Sequence, residues 1–235
     1  MRVAALYVYP VKGCRALALE EAALGPLGLE QDRRFVFAAE DGLAITQRDQ
    51  PLLATVSARM SAAALALDFG GLAQAEVPLG SFTERQVVDV WGKLISGRLA
   101  PELAEAEDYL GMRARLVMLD PAAGRSFADS RPVPVATSAM LAALGIPGIG
   151  MERFRPNVVL EGGGDWRELR GADTLLEYAK PCGRCEVTTI DQRSGERRGP
   201  EPLRSLTERF AGNFGIYCRV ARAGRLRRGE TLEPR

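Results

Sequence analysis

The sequence predicts a strand-rich α+β fold built around barrel-like sheets. Three observations lead there. Short alternating or β-branched runs recur along the whole chain, most of them bounded by Gly, Pro or Asp. Only three segments carry helix signals, too few and too scattered for regular βαβ winding. Hydrophobic residues make up 46% of 235 positions, enough to build a core for one large domain or two small ones.

Taken in order, "RVAALYVY" alternates and halts at Pro10, and "RRFVFAA" follows as a second strand. "SAAALALDFGGLAQAE" alternates about two glycines and reads as a hairpin, and "RQVVDVW" is the next strand. "PELAEAEDYLG" has acidic first turns and a closing Gly, so it reads as a helix; "RARLVML" returns to strand. "TSAMLAALG" opens on a Thr-Ser cap, "PNVVLEG" and "CEVTTI" read as strands, "EPLRSLTERFAG" is a third helix closed by Gly, and "GIYCRVA" is a final strand. The first helix and the strand after it lie near the middle of the chain. That places a domain boundary around residue 115, with domains over 1–115 and 116–235.

Composition removes several function classes. Lys and Arg total 31 against 30 Asp and Glu, so there is no global attraction to nucleic acid or to an anionic membrane. Any anion must be held locally. No apolar run reaches a membrane-spanning length, and the opening "MRVAALYVYPVKGCR" lacks the apolar region and small-residue cleavage site of a signal peptide. The expected location is the cytoplasm, where Cys14, Cys182, Cys185 and Cys218 are reduced thiols or metal ligands. The chain contains no histidine, which excludes His-based hydrolytic triads and His-bound zinc.

The pair in "CGRC" fits three chemistries: half of a zinc site, a redox dithiol, or one thiolate for another metal. A structural zinc ribbon wants a second knuckle, and there is one CxxC. A thioredoxin-like pair opens a helix, whereas "EVTTI" reads as strand. Two buried apolar thiols remain the plain alternative. Arg184 between the cysteines weighs against it, because a cation favours thiolate and thiolate suits a soft metal.

Other cations sit beside turn-prone residues. Lys12 and Gly13 follow a strand, Arg33 stands at the mouth of another, and Arg155 precedes Asn157 in "RPNVVL". Arginine recognises phosphate in bidentate fashion, and an amide offers donor and acceptor to a heterocycle edge. Taken singly, each is a solvated strand end; together with "CGRC" they describe a pocket for an anionic, metal-bearing group. "GIPGIG" and "EGGGDW" read as plain loops. The arginine-rich run around Arg193, Arg197 and Arg198 carries compensating acids and presents a face for an acidic redox partner.

The ordered series "YPVKGCRAL", "DRRFVF", "TQRDQPLLATV", "FRPNVVLEG", "CGRCEVTTIDQRSGE", "EPLRSL" and "LRRGETLEP" resembles the MOSC proteins that pair an N-terminal MOSC-associated β-barrel domain with a MOSC domain. Within them it is similar to the mitochondrial amidoxime-reducing component and its bacterial counterparts. The resemblance covers nearly the whole chain. It implies a molybdenum–molybdopterin cofactor (Moco), with Cys185 as catalytic residue and protein ligand to the metal. The matching cofactor contacts are Lys12, Gly13, Arg33, Asp129, Ser130, Arg155, Asn157, Gly183 and Arg184. Relatives often carry Ser where this chain has Gly13 and Gly183, so two hydroxyl contacts are missing. The implied activity is reduction of N–O bonds in small N-hydroxylated compounds, with electrons from a separate flavoprotein, ferredoxin or cytochrome. The alternative is a carrier of the cofactor, or of sulfur on Cys185, that turns over no small substrate.

Overall fold

The computed structural model describes residues 1–235 and contains four sheets and three short α-helices. The largest sheet has eight strands in the order Glu233–Pro234, Glu168–Arg170, Leu175–Gly183, Asn213–Arg222, Val133–Thr137, Val158–Leu160, Val3–Val8, Leu17–Leu19. Its only parallel pair is Val133–Thr137 with Val158–Leu160. A four-stranded sheet orders Phe35–Ala38, Arg115–Leu119, Leu94–Leu99 and Glu84–Asp89, all antiparallel. The hairpin read from "SAAALALDFGGLAQAE" forms, as Ala64–Phe69 paired with Gln74–Pro78, and Val56–Met60 completes that sheet. The sheets are open in their strand order rather than closed into a barrel. The strand-rich α+β class holds, and barrel closure is what the pattern of short strands did not determine.

The three helices are α1 (Ala104–Leu110), α2 (Ser138–Leu144) and α3 (Leu203–Phe210), each ending at a residue in the left-handed region. Gly111 and Gly145 serve α1 and α2, where a missing Cβ makes that conformation cheap. Thr137 caps α2 by accepting from the backbone N–H of Met140 at 3.1 Å. Arg209, in the last turn of α3, donates to the free carbonyls of Ala143 and Leu144 at the end of α2, which ties the two helices together.

Two large cores lie on either side of the chain's midpoint in sequence, but the N-terminal strands do not stay on their own side. Val3, Leu6, Val8, Ala22, Leu24 and Leu29 join Val133, Val158, Leu176 and Cys218 in one cluster. Phe35, Phe37, Leu53, Val56, Leu65, Phe69 and Leu116 form the other. Val3–Val8 and Leu17–Leu19 thus complete the large sheet of the C-terminal half, Glu21–Gly25 pairs with Gly224–Arg227 in a separate small sheet, and a cut at residue 115 falls at the start of a strand that belongs with the first half's sheet. The consequence is functional. The segment after Val3–Val8, which carries Tyr9, Lys12 and Gly13, lies where the two halves meet.

One local reading is corrected. "CEVTTI" is not a strand: the long strand ends at Gly183, and Glu186–Thr189 forms a 3-10 turn with Cys185 at its N-cap. The β-branched composition favoured a strand, but Thr188 and Thr189 turn their hydroxyls onto the carbonyls of Cys185 and Glu186, at 2.9 and 2.7 Å. Such local side-chain bonds compete with sheet pairing. Cys14 lies in a buried bend beyond the first strand.

Candidate functional site

The loops at the junction of the two halves line an open cleft. Eight sequence-predicted residues line it: Lys12, Gly13, Arg33, Asp129, Arg155, Gly183, Arg184 and Cys185. They come from five separate segments. Asn157 and Ser130 are not part of its lining. Asn157 is fully buried behind it, and Ser130 faces a separate surface pocket with Arg125 and Arg219. The sequence reading missed Thr46, Gln47, Arg48, Arg131, Arg153, Thr188 and Tyr217 in the lining.

The lining carries seven cations and a single carboxylate, Asp129. Such an imbalance in a concave, partly desolvated place focuses positive potential on whatever enters. Two of these cations are held by fixed partners. Arg33 donates to Asp32 at 2.5 Å and to Asn157 at 2.8 Å. Arg155 donates to Gln192 at 2.9 Å and to the Cys14 carbonyl at 2.7 Å. Their guanidinium carbons lie 4.3 and 4.2 Å from the centroid of Tyr9, so one phenol ring supports both. Both arginines adopt the left-handed region, at φ of +47° and +49°. That conformation disfavours any residue with a Cβ, and its recurrence at two cleft arginines is the pattern of strain held at a working site.

Lys12 is buried and paired with Asp129. Burial lowers the ammonium's pKa, and Asp129 opposes that shift without cancelling it. For Asp129, burial alone would raise the pKa; the charge and hydrogen bond of Lys12 and the N–H of Trp91 prevail and hold it below the usual carboxylate range. Its side chain is 56% exposed, so solvent screens much of this pairing. The loop carrying it is anchored by fully buried Phe127, whose side chain contributes roughly 2–3 kcal/mol on burial.

The two halves of "CGRC" differ sharply. Cys182 is fully buried, and burial pushes its thiol up to about 11, Arg184 opposing. Cys185 is half-buried and reaches the cleft. Its carbonyl accepts from the backbone N–H and hydroxyl of Thr188, at 3.0 and 2.9 Å. The Thr188 carbonyl in turn accepts from Arg153 at 2.7 Å, so a buried guanidinium clamps the turn that presents the thiol. Arg184 donates to the carbonyls of Phe154 and Phe214, both at 2.8 Å. Those two rings stack at 3.6 Å with an interplanar angle of 16°, which fixes the carbonyls beneath the guanidinium. Its remaining nitrogen, Nη2, is buried with no hydrogen-bond partner. A desolvated N–H left alone costs about 1–3 kcal/mol.

The halves are joined at the cleft wall by a reciprocal amide pair. Gln47 donates to Gln192 at 3.0 Å and accepts from it at 2.9 Å, and Gln47 also donates to the Gly13 carbonyl at 2.6 Å. The two amides stand 145 positions apart in sequence, and their meeting shows why amides stand there. No group of three or more carboxylates and thiols forms a metal site of its own. The donor set in the cleft is one accessible thiol among cations. This fits an anionic ligand that brings a metal with most of its own donors, and it fits poorly with a bare zinc ion, which takes four protein donors or three plus water.

A family model described as the MOSC N-terminal beta barrel domain matches residues 1–118, and one described as the MOSC domain matches residues 124–233. Mitochondrial amidoxime-reducing component 1 of Xenopus laevis is 27% identical over 98% of this chain and 81% of its own length. The molybdenum cofactor sulfurase of Drosophila grimshawi is 28% identical over 90% of this chain, which spans 31% of that protein. Among solved structures, the YuaD protein of Bacillus subtilis superposes with a TM-score of 0.47 at 12% identity, covering 98% of this chain and 93% of that one.

Proposed function

Since the chain belongs to the MOSC family, by the match of both its domains, we propose that its cleft holds a molybdenum–pterin cofactor and that the protein reduces N–O bonds of small N-hydroxylated compounds. The observation that carries this reading is that Cys185, the one cysteine that is not fully buried, lines a cleft together with seven cations. In this reading Cys185 supplies the protein sulfur to the metal. Arg33, Arg155 and Arg184 hold the anionic and heterocyclic parts, and Gly13 and Gly183 bring backbone close to them. When bound, the group supplies two-electron oxygen-acceptor chemistry. The overall change balances as an N-hydroxylated substrate plus two electrons and two protons giving the N–H product and water.

The residues of the chain do the remaining work. Lys12 and Asp129 hold opposite charges at the cleft wall. Arg153 and Thr188 fix the turn that aims Cys185, and the Gln47–Gln192 pair keeps the two halves in register. Electrons come from a separate protein. Arg197 and Arg198 are already paired with Glu186, Asp191 and Glu196, so of the arginine-rich run only Arg193 lacks a carboxylate partner. It lines a groove with Arg15 and Arg155 on the side of Tyr9, and the donor docks there.

The test is protein purified from a host that makes the cofactor. Stoichiometric molybdenum and pterin, with oxidation of reduced viologen only on adding an amidoxime or hydroxylamine, is the expected result. The sulfurase relatives favour a second reading, a cofactor or sulfur carrier. Tight cofactor retention without turnover, together with delivery into an apo-enzyme, would select it.

A further inference from the structure

The loop that carries Asp129 serves two concavities. Asp129 lines the cleft, whereas Ser130 lines a second pocket, formed by Pro26 and Leu27, by the loop itself and by the strand Asn213–Arg222. Ala128 and Arg131 line both. The loop is fixed at each end: fully buried Phe127 donates its backbone N–H to the Arg33 carbonyl at 3.1 Å, and Pro132 lies against Gly28. Gly28 has φ of +97°, and a Cβ there would come within 2.6 Å of the Pro132 carbonyl oxygen, so the contact requires a glycine. A wall held in this way loses little freedom when a ligand arrives.

Three arginines, Arg125, Arg131 and Arg219, line this second pocket, and no carboxylate does. Their guanidinium groups are uncommitted. Arg125 Nε has no hydrogen-bond partner, Arg131 has no ion pair, and Arg219 has only Glu177, at 3.8 Å with its own side chain 58% exposed. The cleft arginines differ, because Arg33, Arg153, Arg155 and Arg184 each spend donors on side chains or carbonyls of the fold. One free arginine on a surface is ordinary, but three gathered in one concavity without an acid repel one another, and a bound anion removes that repulsion. Two hydroxyls stand among them, on Ser126 and Ser130. Ser126 Oγ accepts from the Ala128 N–H at 3.4 Å, which leaves its own proton to donate.

We propose that this pocket is a phosphate site, distinct from the cleft, in which Arg125, Arg131 and Arg219 grip a phosphate group and the two serines donate to it. Guanidinium forks match the oxygens of a tetrahedral oxyanion in bidentate fashion. A carboxylate offers two oxygens where phosphate offers three or four, so three forks with two hydroxyls favour phosphate. The ligand is inorganic phosphate or a small phosphate monoester, which share this chemistry. Arg131 belongs to both concavities, so an anion in one competes for its charge with an anion in the other. The inference goes beyond the reduction reading and does not depend on it.

The experiment titrates inorganic phosphate, glycerol 3-phosphate and acetate into the full chain by calorimetry at fixed ionic strength. Phosphate or its ester is expected to bind with a Kd below about 1 mM, and acetate roughly tenfold more weakly or worse. The tighter of the two phosphate probes names the source of the ligand. Arg125→Gln and Arg219→Gln are each expected to weaken binding about tenfold. Arg48→Gln, which alters the cleft and not this pocket, should leave it within about twofold. Melting temperatures without phosphate check that each variant is folded, and the exposed side chain of Arg219 makes its replacement the safe one. Phosphate affinity that survives both Arg125→Gln and Arg219→Gln but falls in Arg48→Gln would place the anion in the cleft and overturn the proposal. Equal, weak binding of phosphate, ester and acetate, or no heat with any of them, would mean a diffuse cationic surface and overturn it as well.

Discussion

Arg33 donates from Nη1 to Oδ1 of Asn157 at 2.8 Å, across 124 positions of sequence. Asn157 has no surface in the cleft; it is fully buried and spends its amide on Arg33, on Asp32 at 3.0 Å and on the Tyr7 carbonyl at 2.7 Å. It acts on the site by aiming a cation, and the first prediction follows from that. Asn157→Ala leaves three polar groups short of a partner and is expected to destabilise the fold by about 2–3 kcal/mol. Urea unfolding checks it, and a change within about 0.5 kcal/mol would mean these bonds matter little.

Thiol reactivity should single out Cys185. Burial raises the thiols of Cys14 to about 12 and Cys182 to about 11, and Cys218 is pushed higher still, so all three resist alkylation near neutral pH. Cys185 is the half-buried exception. Brief iodoacetamide treatment of cofactor-free protein followed by peptide mass analysis is expected to modify Cys185 first. Cys185→Ser should lose molybdenum with the fold intact, whereas Cys182→Ser retains it. Equal loss in the two variants would mean the wrong sulfur has been chosen.

The two glycines that line the cleft, Gly13 and Gly183, are not equivalent. Gly13 has φ of +84°, and a Cβ there would meet Leu53 Cδ1 at 3.1 Å. Gly13→Ser is therefore expected to cost about 1 kcal/mol. Gly183 has its nearest neighbour, Asn213 Oδ1, at 3.9 Å from a built Cβ. Gly183→Ser should leave stability unchanged and add a hydroxyl to the cleft, raising the molybdenum retained through gel filtration. Metal content at or below wild type would count against a ligand close to that backbone.

The Lys12–Asp129 pair gives an acid-side signature. The folded-state pKa of Asp129 is depressed below its unfolded value. Between those two values the unfolded chain binds more protons, so stability rises with pH there. The contribution is present above the ordinary carboxylate pKa and fades as pH falls below about 4. Comparing wild type with Asp129→Asn by denaturant unfolding across that range should show the wild-type advantage shrinking toward low pH. The exposure of Asp129 keeps the effect small and sensitive to salt. A gap that is constant with pH would show that the pair carries no linkage.

Docking at Arg193 is testable through salt. Arg193→Glu is expected to slow electron delivery from an acidic donor protein severalfold and to flatten its ionic-strength dependence. Viologen-driven turnover serves as the reference that bypasses docking. Unchanged rates and salt slope with the protein donor would move the docking surface elsewhere.

Much of this was legible in the residues themselves. The alternation in "RVAALYVY" and "RRFVFAA" marks strands because a period of two belongs to the pleat. The Gly after α1 and the Gly after α2 mark their ends, because the left-handed cap favours a residue without Cβ. "CEVTTI" misled, since threonine hydroxyls that bond backbone carbonyls favour a turn as readily as their branched Cβ favours a strand. Trp91, Arg48, Arg153 and the two glutamines gave no local signal, because each matters only through a partner far along the chain.

By itself, then, the sequence determined the inventory: a strand-rich chain without histidine, one CxxC with an arginine inside it, and cations set beside turns. Only the tertiary structure decided which thiol meets the cleft, which cations surround it, and that Asn157 stands behind the site rather than in it. The reason is physical. Local pattern follows from each residue's own conformational and burial preferences, whereas convergence follows from pairing strands such as Val3–Val8 and Val158–Leu160, whose register depends on the whole buried sheet.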